Sequence, residues 1–424
     1  MNSRIFSLLI PLVTLFSLFG CKKVTLFEEV NSESTGITFL NKITEDENRN
    51  VMTYEYTYNG GGVAIGDLNN DGLPDIYLSG NSVPNKLYLN EGDWKFKEIS
   101  KSTVLEGREG DWKTGVTMAD VNGDGWLDIY LSYSGNAVEE GFDKPVIIDY
   151  APRSNQLFIN DGPGKDGIPT FTESAKEYGL DGIGTFSTQA YFFDYDLDGD
   201  LDMFLLNHAN KFYSTLFNVK KLRNLRHPYF GNKLYRNEGN HFVEVTEETG
   251  FHGSGLNFGL SAAISDLNKD GWPDIYVTND YEEQDFCYIN NRNGSFTEIS
   301  HTAFGHLSKF AMGSDIADVN NDGLPDIFVA DMLPEDNYRQ KVLKGPDEYN
   351  KFSVAVDSGY HYQYMRNTLQ LNRGIGPDSL LKFSEVGQFA GISNTDWSWA
   401  PLFCLLYTSP SPRDRQKSRM PSSA

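Results

Sequence analysis

The stretch Asp67–Asp75 reads DLNNDGLPD and follows the pattern D-x-[N/D]-x-D-G-x-x-D, which the chain repeats four more times. The other copies are DVNGDGWLD (120–128), DYDLDGDLD (194–202), DLNKDGWPD (266–274) and DVNNDGLPD (318–326). The first aspartates of successive copies are 53, 74, 72 and 52 residues apart. A unit that recurs at this spacing, with insertions, indicates one radial repeat architecture rather than several unrelated domains.

Short runs of β-branched and aromatic residues flank every copy, such as Val63–Ile65 before the first and Ile76–Leu78 after it. Such runs are typical of buried strands. A second element, N-x-L-[YFQ]-x-N followed by Gly and Phe, predicts a β-hairpin in each unit. Its copies are Asn85–Asn90, Asn155–Asn160, Asn232–Asn237, Asn367–Asn372 and, more loosely, Phe286–Asn291. Two strands plus two strands give a four-stranded antiparallel blade, so we predict an all-β protein, a β-propeller.

A sixth unit begins after the five full repeats and then stops. Gly391-Ile392 and Trp397–Phe403 match the lead-in to an aspartate loop, but Cys404-Leu405-Leu406 follows where D-x-N-x-D-G is expected. We therefore assign residues 27–403 to an incomplete propeller, with seven blades expected in the intact protein. Residues 404–424, rich in Ser, Pro and Arg, are interpreted as a foreign or disordered tail.

The N-terminus has the features of an export signal. Arg4 precedes the apolar run Ile5–Phe19, which is too short to predict a membrane span, and Leu18–Cys21 reads L-F-G-C. This ending resembles a bacterial lipoprotein signal, with residues 1–20 removed, Cys21 acylated and residues 21–26 as a short linker. The predicted location is the outer membrane or cell surface of a Gram-negative-type bacterium, with membrane contact only through the lipid. The alternative is an ordinary secretory signal in which the cysteine is incidental.

The repeated loops have the residue types of calcium sites. Positions 1, 3, 5 and 9 supply side-chain oxygens, position 6 is always Gly for a sharp turn, and position 7 supplies a backbone carbonyl. We predict up to five Ca²⁺ ions, with these ligands: Asp67, Asn69, Asp71, Leu73, Asp75, Asp120, Asn122, Asp124, Trp126, Asp128, Asp194, Asp196, Asp198, Asp200, Asp202, Asp266, Asn268, Asp270, Trp272, Asp274, Asp318, Asn320, Asp322, Leu324 and Asp326.

Two other interpretations fit the loops less well. An EF-hand needs Glu at position 12, whereas every copy is apolar there: Leu78, Leu131, Leu205, Val277 and Val329. Asx-rich turns without metal are the second alternative, but several unpaired carboxylates in one turn would repel each other. The third loop contains five aspartates and is expected to bind most tightly.

Charge and composition exclude several classes of function. A formal net charge of -23 argues against nucleic-acid or anionic-membrane binding. Three cysteines are too few for a disulfide framework. The chain has no H-E-x-x-H, G-x-S-x-G or P-loop sequence. The acids in the loops are expected to bind metal rather than to catalyse.

Three insertions account for the long spacings: Asn136–Ser154, His208–Gly231 and Leu333–Arg366. All three connect the second and third strands of a blade, so they should emerge on the face opposite the aspartate loops, where binding is expected. The second insertion is basic and has near-helical apolar spacing, which fits either a partner contact or a helix packed on the rim. The third is rich in tyrosine, which fits either sugar stacking or packing.

The repeats resemble those of the FG-GAP/VCBS family, which includes integrin α-subunit heads. The segments Asp318–Asn337 and Tyr362–Asn372 resemble, more closely, bacterial lipoproteins related to the cartilage acidic protein group. The resemblance covers residues 27–403, in truncated form, and implies a calcium-stabilised propeller. The leading hypothesis is a non-enzymatic module that binds or adheres to extracellular or envelope protein or glycan. One alternative is a polysaccharide lyase or hydrolase using residues such as Arg226, His227, Tyr360 and His361; another is a structural spacer.

Overall fold

The structure is a computed structural model, which describes residues 29–47, 50–109, 112–135, 153–164, 166–209, 219–343 and 349–403. The predicted signal segment, Cys21 and the tail 404–424 lie outside the described residues, as do parts of all three insertions. Within the described ranges, no helix combines the length and the apolar character needed to cross a membrane.

The described residues form five four-stranded antiparallel sheets in which consecutive strands are hydrogen-bonded. The strands of sheets 1 and 2 are β1 (Val63–Gly66), β2 (Asp75–Leu78), β3 (Lys86–Asn90), β4 (Phe96–Glu98), β5 (Trp112–Ala119), β6 (Asp128–Ser134), β7 (Gln156–Pro163) and β8 (Pro169–Glu173). Those of sheets 3 and 4 are β9 (Ser187–Phe193), β10 (Asp202–Asn207), β11 (Lys233–Asn237), β12 (Phe242–Glu244), β13 (Gly259–Ser265), β14 (Asp274–Asn279), β15 (Phe286–Asn290) and β16 (Phe296–Glu298). Sheet 5 contains β18 (Gly313–Ala317), β19 (Asp326–Ala330), β21 (Thr368–Ile375) and β22 (Leu381–Glu385).

The sheets are arranged around an axis lined by their first strands. β1 packs on β5, β5 on β9, β9 on β13, and β13 on β18. The start of the predicted sixth unit continues this order, because the Phe403 N–H donates to the Asp315 carboxylate at 2.6 Å and the Phe403 ring lies 5.9 Å from that of Phe328. The predicted all-β propeller of four-stranded blades is confirmed, and we number blades and aspartate loops 1 to 5 in chain order.

The hydrophobic core lies between neighbouring blades rather than at a single centre. In β6, Ile129 and Leu131 pack against blade 1, whereas Tyr130 packs against blade 3. All seven residues of β6 are buried, since both of its faces are covered. This explains why the second strands read as continuous apolar runs instead of alternating ones. The same packing joins blade 3 to blade 4 and blade 4 to blade 5.

The remaining elements are short and lie at the edges of the blades. A parallel two-stranded pair joins β17 (Leu307–Ser308) to β20 (Gln363–Tyr364). Two 3-10 turns span Glu55–Tyr58 and Ser100–Ser102. The helices are α1 (Ser32–Thr35), α2 (Val219–Arg223), α3 (Thr246–Thr249), α4 (Ser300–Ala303), α5 (Asn337–Leu343) and α6 (Tyr349–Asp357).

The predicted register of the fourth hairpin is wrong by one residue. Asn290, not Asn291, occupies the closing position, because its backbone N–H donates to the Asp274 carboxylate at 2.9 Å, as in the other blades. The fourth copy of the element therefore runs from Asp285 to Asn290. Asp285 replaces the opening asparagine and still accepts a backbone N–H at the end of β14. This single Asp-for-Asn exchange concealed the start of the motif.

Candidate metal centres and the opposite face

All five aspartate loops connect the first strand of a blade to the second, so they share one end of the propeller, here called the loop face. The glycine at position 6 has φ between 86° and 100° in every loop, in the left-handed region that favours glycine. Position 4 is also left-handed, which the motif did not predict. Its residues are Asn70, Gly123, Leu197, Lys269 and Asn321, with φ from 55° to 72°.

The carboxylate at position 1 closes each loop. In loop 1, Asp67 accepts the N–H of Asp71 at 3.1 Å and that of Gly72 at 2.7 Å. The position 5 carboxylate of Asp71 accepts the N–H of Leu73 at 2.8 Å. Loops 2 to 5 repeat these contacts. In loop 1 the Asn69 amide also donates to Asp71 at 2.9 Å, and loops 2 and 4 show the same bond. The predicted ligands at positions 1, 3 and 5 are thus held together by the loop itself.

The aspartate at position 9 begins the second strand of each blade and is buried. The residue is at most 1% exposed in every loop, and the five are Asp75, Asp128, Asp202, Asp274 and Asp326. In loop 3, Asp202 accepts the N–H of Tyr195 at 3.1 Å and that of Asn237 at 2.8 Å. Burial raises the pKa of Asp202 to about 7, although both N–H bonds oppose the shift. A nearby cation would offset the cost of keeping this buried carboxylate ionised.

Loop 3 shows the strongest convergence of carboxylates. Asp194, Asp196 and Asp202 place one oxygen each within 4.8 Å of one another. One oxygen of Asp196 and one of Asp200 are buried and accept no hydrogen bond. Burial and neighbouring carboxylates raise the pKa of both groups. Hard oxygen donors with unmet bonding capacity are what a divalent cation such as Ca²⁺ requires, so the residues of loop 3 fit the ion predicted from the motif.

Loop 4 differs because it contains its own positive charge. The Arg292 guanidinium lies 2.9–3.1 Å from the Asp270 carboxylate at position 5. Burial acts to raise the pKa of Asp270, but the hydrogen bonds from the Trp272 N–H and from Arg292 hold it below its usual value. A cation entering loop 4 would have to share or displace this arginine.

The asparagine that closes each third strand, here called the closing asparagine, joins neighbouring blades. The Asn160 N–H donates to Asp128 of its own loop at 2.8 Å, and its amide donates to the Leu68 carbonyl in loop 1 at 2.9 Å. The same inter-blade bond recurs from Asn237 to Val121 (3.4 Å), from Asn290 to Tyr195 (2.8 Å) and from Asn372 to Leu267 (2.8 Å). The motif predicted these asparagines only as hairpin residues. Their recurrence in every unit was the available signal.

The opposite end of the propeller, here called the insertion face, contains an axial cavity of about 210 Å³. It lies at the N-terminal ends of the first strands. The N-terminal segment enters it, and Tyr56 donates to the buried Asp280 at 3.1 Å. Aromatic and polar side chains from several blades share the cavity; prominent among them are Tyr54, Tyr56, Trp112, Thr188, His208 and Trp399.

A buried polar cluster lies beside this cavity. The Ser134 hydroxyl is 2.6 Å from Nε2 of His208, and Nδ1 of His208 is 2.7 Å from the Ala209 carbonyl. Nδ1 therefore carries the proton, and Nε2 accepts from Ser134. The Tyr54 hydroxyl completes the cluster by donating to Ser134 at 3.3 Å. Burial lowers the pKa of His208 to about 4, so its ring is neutral at pH 7.

The second insertion packs on the rim. Arg223 in α2 donates to the Glu283 carboxylate at 2.9 and 3.1 Å and to the Gly359 carbonyl at 2.7 Å. Its guanidinium lies 4.0 Å from the centre of the Tyr360 ring. Arg226 donates to the backbone carbonyl of Phe251, which lies between blades 3 and 4, at 3.0 Å. These two arginines therefore hold the insertion down, as the packing interpretation expects.

The third insertion divides its aromatic residues between packing and exposure. Tyr360 is 2% exposed, beneath Arg223. Phe352 of α6 stacks on Tyr362 at 6.1 Å and on Tyr364 at 5.7 Å. These two tyrosines remain 49% and 42% exposed, so the insertion face presents aromatic surface to solvent.

Two histidines named for the enzyme alternative, and the buried Cys287, are engaged in packing with different partners. His227 stacks on Phe230 with ring centres 3.9 Å apart. His361 is buried, with Nε2 3.0 Å from the Phe304 carbonyl. Cys287 is fully buried, and burial raises the pKa of its thiol. This geometry gives a lyase or hydrolase mechanism no support within the described residues.

Comparison with known proteins agrees with the repeat pattern. A family model described as FG-GAP-like repeat matches residues 67–131 and 266–329. Cartilage acidic protein 1 of Xenopus tropicalis is 33% identical over 113 residues, which cover 26% of this chain and 16% of that protein. Integrin alpha-6 of Homo sapiens is 31% identical over 133 residues, covering 25% of this chain and 12% of that protein. The chain thus spans less than a fifth of either relative's length.

Solved structures resemble the chain more distantly. A lectin of Agrocybe aegerita that recognises non-reducing terminal N-acetylglucosamine gives a TM-score of 0.29 at 16% identity, covering 64% of this chain and 75% of that one. A thermostable family-43 glycoside hydrolase gives 0.34 at 10% identity, covering 81% and 96%. Similarity at this level does not establish a shared ligand or activity. The match places FG-GAP-like repeats at residues 67–131 and 266–329 of a chain whose four-stranded sheets form a β-propeller.

Proposed function

We propose that this chain is a calcium-stabilised β-propeller that is exported, anchored through a lipid on Cys21, and binds an extracellular or envelope glycan or protein through its insertion face. The loops supply stability, and the opposite face supplies recognition. The export and anchoring part is supported by the L-x-G-C ending of the apolar N-terminal segment.

The cation part is supported chiefly by the two unpartnered carboxylate oxygens in loop 3. Asp194, Asp196, Asp198 and Asp202 would hold the ion in that loop through their carboxylates, and Asp200 would hold it through its carbonyl or its carboxylate. A bound cation supplies positive charge that neutralises the crowded carboxylates. The corresponding positions of the other four loops would hold further ions.

Thermal unfolding in chelator and in calcium tests the cation part. An ion bound only by the folded state stabilises it by about 2.7 kcal/mol when free calcium is 100 times the Kd. We expect EGTA to lower the melting temperature and excess calcium to restore it. Asp196→Asn should weaken this response, whereas Asp161→Asn, which removes an exposed hairpin charge, should not. An identical melting curve in EGTA and calcium would contradict calcium binding.

The recognition part is supported by the axial cavity. It is concave, several blades contribute to it, and it combines aromatic rings with hydroxyl and imidazole groups. Aromatic faces pack against the C–H faces of sugars, and a few polar groups then orient the ligand. The exposed rings of Tyr362 and Tyr364 lie on the same face. This chemistry favours a glycan over a flat protein surface.

A glycan array with matched tryptophan variants tests the recognition part. Trp399 lines the cavity and is 38% exposed, whereas Trp94 is 70% exposed on the loop face. Trp399→Ala should weaken glycan binding about two- to tenfold, the range expected for loss of an aromatic contact. Trp94→Ala should leave it unchanged. Equal losses in both variants would refute the assignment, and cleavage of the bound polysaccharide would favour the enzyme alternative.

Fractionation tests the anchor. We expect the native protein to enter the membrane fraction after export. Cys21→Ser should release it, because the lipid is the proposed membrane contact. Membrane association that survives this substitution would contradict lipid anchoring.

A further inference from the structure

The closing asparagines connect the buried aspartates of successive loops. The Asn290 N–H donates to Asp274 of loop 4 at 2.9 Å, and the Asn290 amide donates to the Tyr195 carbonyl of loop 3 at 2.8 Å. The Tyr195 N–H in turn donates to Asp202 of loop 3 at 3.1 Å. A continuous series of hydrogen bonds therefore joins position 9 of loop 3 to position 9 of loop 4.

The same series occurs at the other three blade junctions. Asn160, Asn237 and Asn372 each bond their own position 9 aspartate through the backbone and the preceding loop through the amide. The four side chains are between 0% and 5% exposed, so water does not compete for these bonds. The amide of each closing asparagine bonds the residue at position 2 of the preceding loop, whose N–H is held by that loop's own position 9 carboxylate. The belt of bonds thus runs round the propeller through all five loops.

We propose that these four closing asparagines are positioning residues that couple neighbouring cation loops, so that an ion in one loop strengthens binding in the next. This inference rests on the proposed cation binding. The physical reason is that an ion must hold the position 9 carboxylate in one place. That carboxylate orders the position 2 residue, which orders the closing asparagine and thereby the next carboxylate. The ordering cost is then shared between sites, which is positive cooperativity.

Terbium luminescence can report on one loop in the intact chain. Terbium prefers oxygen ligands as calcium does, and an adjacent indole sensitises its emission. Trp272 occupies position 7 of loop 4, and Trp126 occupies position 7 of loop 2. The measurement is made in a chain that carries Trp126→Leu, with and without Trp272→Leu. The difference in terbium emission between these two chains reports ion binding at loop 4. Leucine is the natural residue at this position in loops 1 and 5.

A double-mutant cycle then measures coupling between loops 3 and 4. Asp196→Asn weakens loop 3, and Asn290→Ala removes the link while leaving the backbone bond to Asp274. We expect Asp196→Asn to reduce terbium affinity at loop 4 about fivefold when Asn290 is present, the lower end of usual coupling. With Asn290→Ala, the same substitution should have almost no effect on loop 4. An equal effect of Asp196→Asn with and without the Asn290 amide, or none in either case, would overturn the proposal.

Asn372→Ala provides the matched control. Asn372 is as buried as Asn290 but links loop 4 to loop 5, so its loss should preserve the effect of Asp196→Asn. Circular dichroism confirms that each variant is folded. If terbium and calcium do not bind at all, the proposed function fails. If they bind but the cycle shows independent sites, only the coupling fails.

Discussion

The contact between Arg223 and Glu283 provides the sharpest prediction about the insertion face. Arg223 donates to the Glu283 carboxylate through Nε and Nη2, and to the Gly359 carbonyl through Nη1. The side chain of Glu283 is 2% exposed and that of Arg223 is 14% exposed. The pair joins the second insertion to the third and to blade 4, so we consider the effect of Arg223→Ala.

The expected cost follows from what remains after the substitution. Glu283 would keep only weak contacts, a 3.1 Å bond from the Gln284 N–H and a 3.4 Å bond from the Ser254 hydroxyl. Breaking a buried ion pair by removing one partner costs about 3–5 kcal/mol, because the other charge stays buried and unpaired. We expect a loss of that order, concentrated in the insertions. Glu283→Gln in the same chain should recover part of it by removing the stranded charge.

Hydrogen exchange measured by mass spectrometry suits this test, since it separates local opening from global unfolding. Arg223→Ala should raise exchange in α2 and around Gly359, whereas blade 1 should change little. Lys221→Ala, on the exposed side of the same helix, is the control and should have almost no effect. If Arg223→Ala exchanges like this control, the insertion is not held by the pair, and the packing interpretation is wrong.

Three further predictions concern titration, ion affinity and the core. The folded state holds His208 neutral, with a pKa of about 4 against 6.5 when unfolded. The neutral ring therefore contributes fully to the stability of the fold above pH 6.5, and this stability is lost as the pH falls toward 4. The loss in free energy of unfolding is about 3 kcal/mol. When urea unfolding is measured across this range, the free energy of unfolding should fall less steeply with falling pH for His208→Gln than for the native chain. The exposed His241→Gln should behave like the native chain. Arg292→Gln frees Asp270 from its internal counter-ion, so calorimetry should detect tighter calcium binding at one site. An unchanged affinity would show that Arg292 does not compete with the ion for Asp270. Ile129→Ala leaves a cavity between blades 1 and 2 and should cost about 2–5 kcal/mol, measured by denaturant unfolding against the exposed Ile375→Ala.

The blade and its loop could be predicted from sequence because both depend on neighbouring residues. Gly72 occupies a left-handed turn, and glycine is favoured there because a side chain would clash with the neighbouring backbone. The run Ile129–Leu131 is apolar throughout because both faces of its strand are covered. Because the motif occurs five times, each copy supports the strands and turns predicted from the others. Prediction failed where one copy departed from the pattern, as when Asp285 took the place of an opening asparagine.

Sequence by itself determined the strands, the turns and the candidate ligands, since these follow from chain sterics and from the periodicity of apolar residues. The tertiary structure alone decided which groups from different blades meet. Asn160 and Leu68 are 92 residues apart in the chain, and Tyr54 and His208 are 154 residues apart, yet each pair is in contact. Such contacts arise from how blades pack around the axis, and packing is a property of the whole ring that no single repeat encodes. The belt of closing asparagines, the axial cavity and the neutral His208 beside it therefore became visible only in the folded molecule.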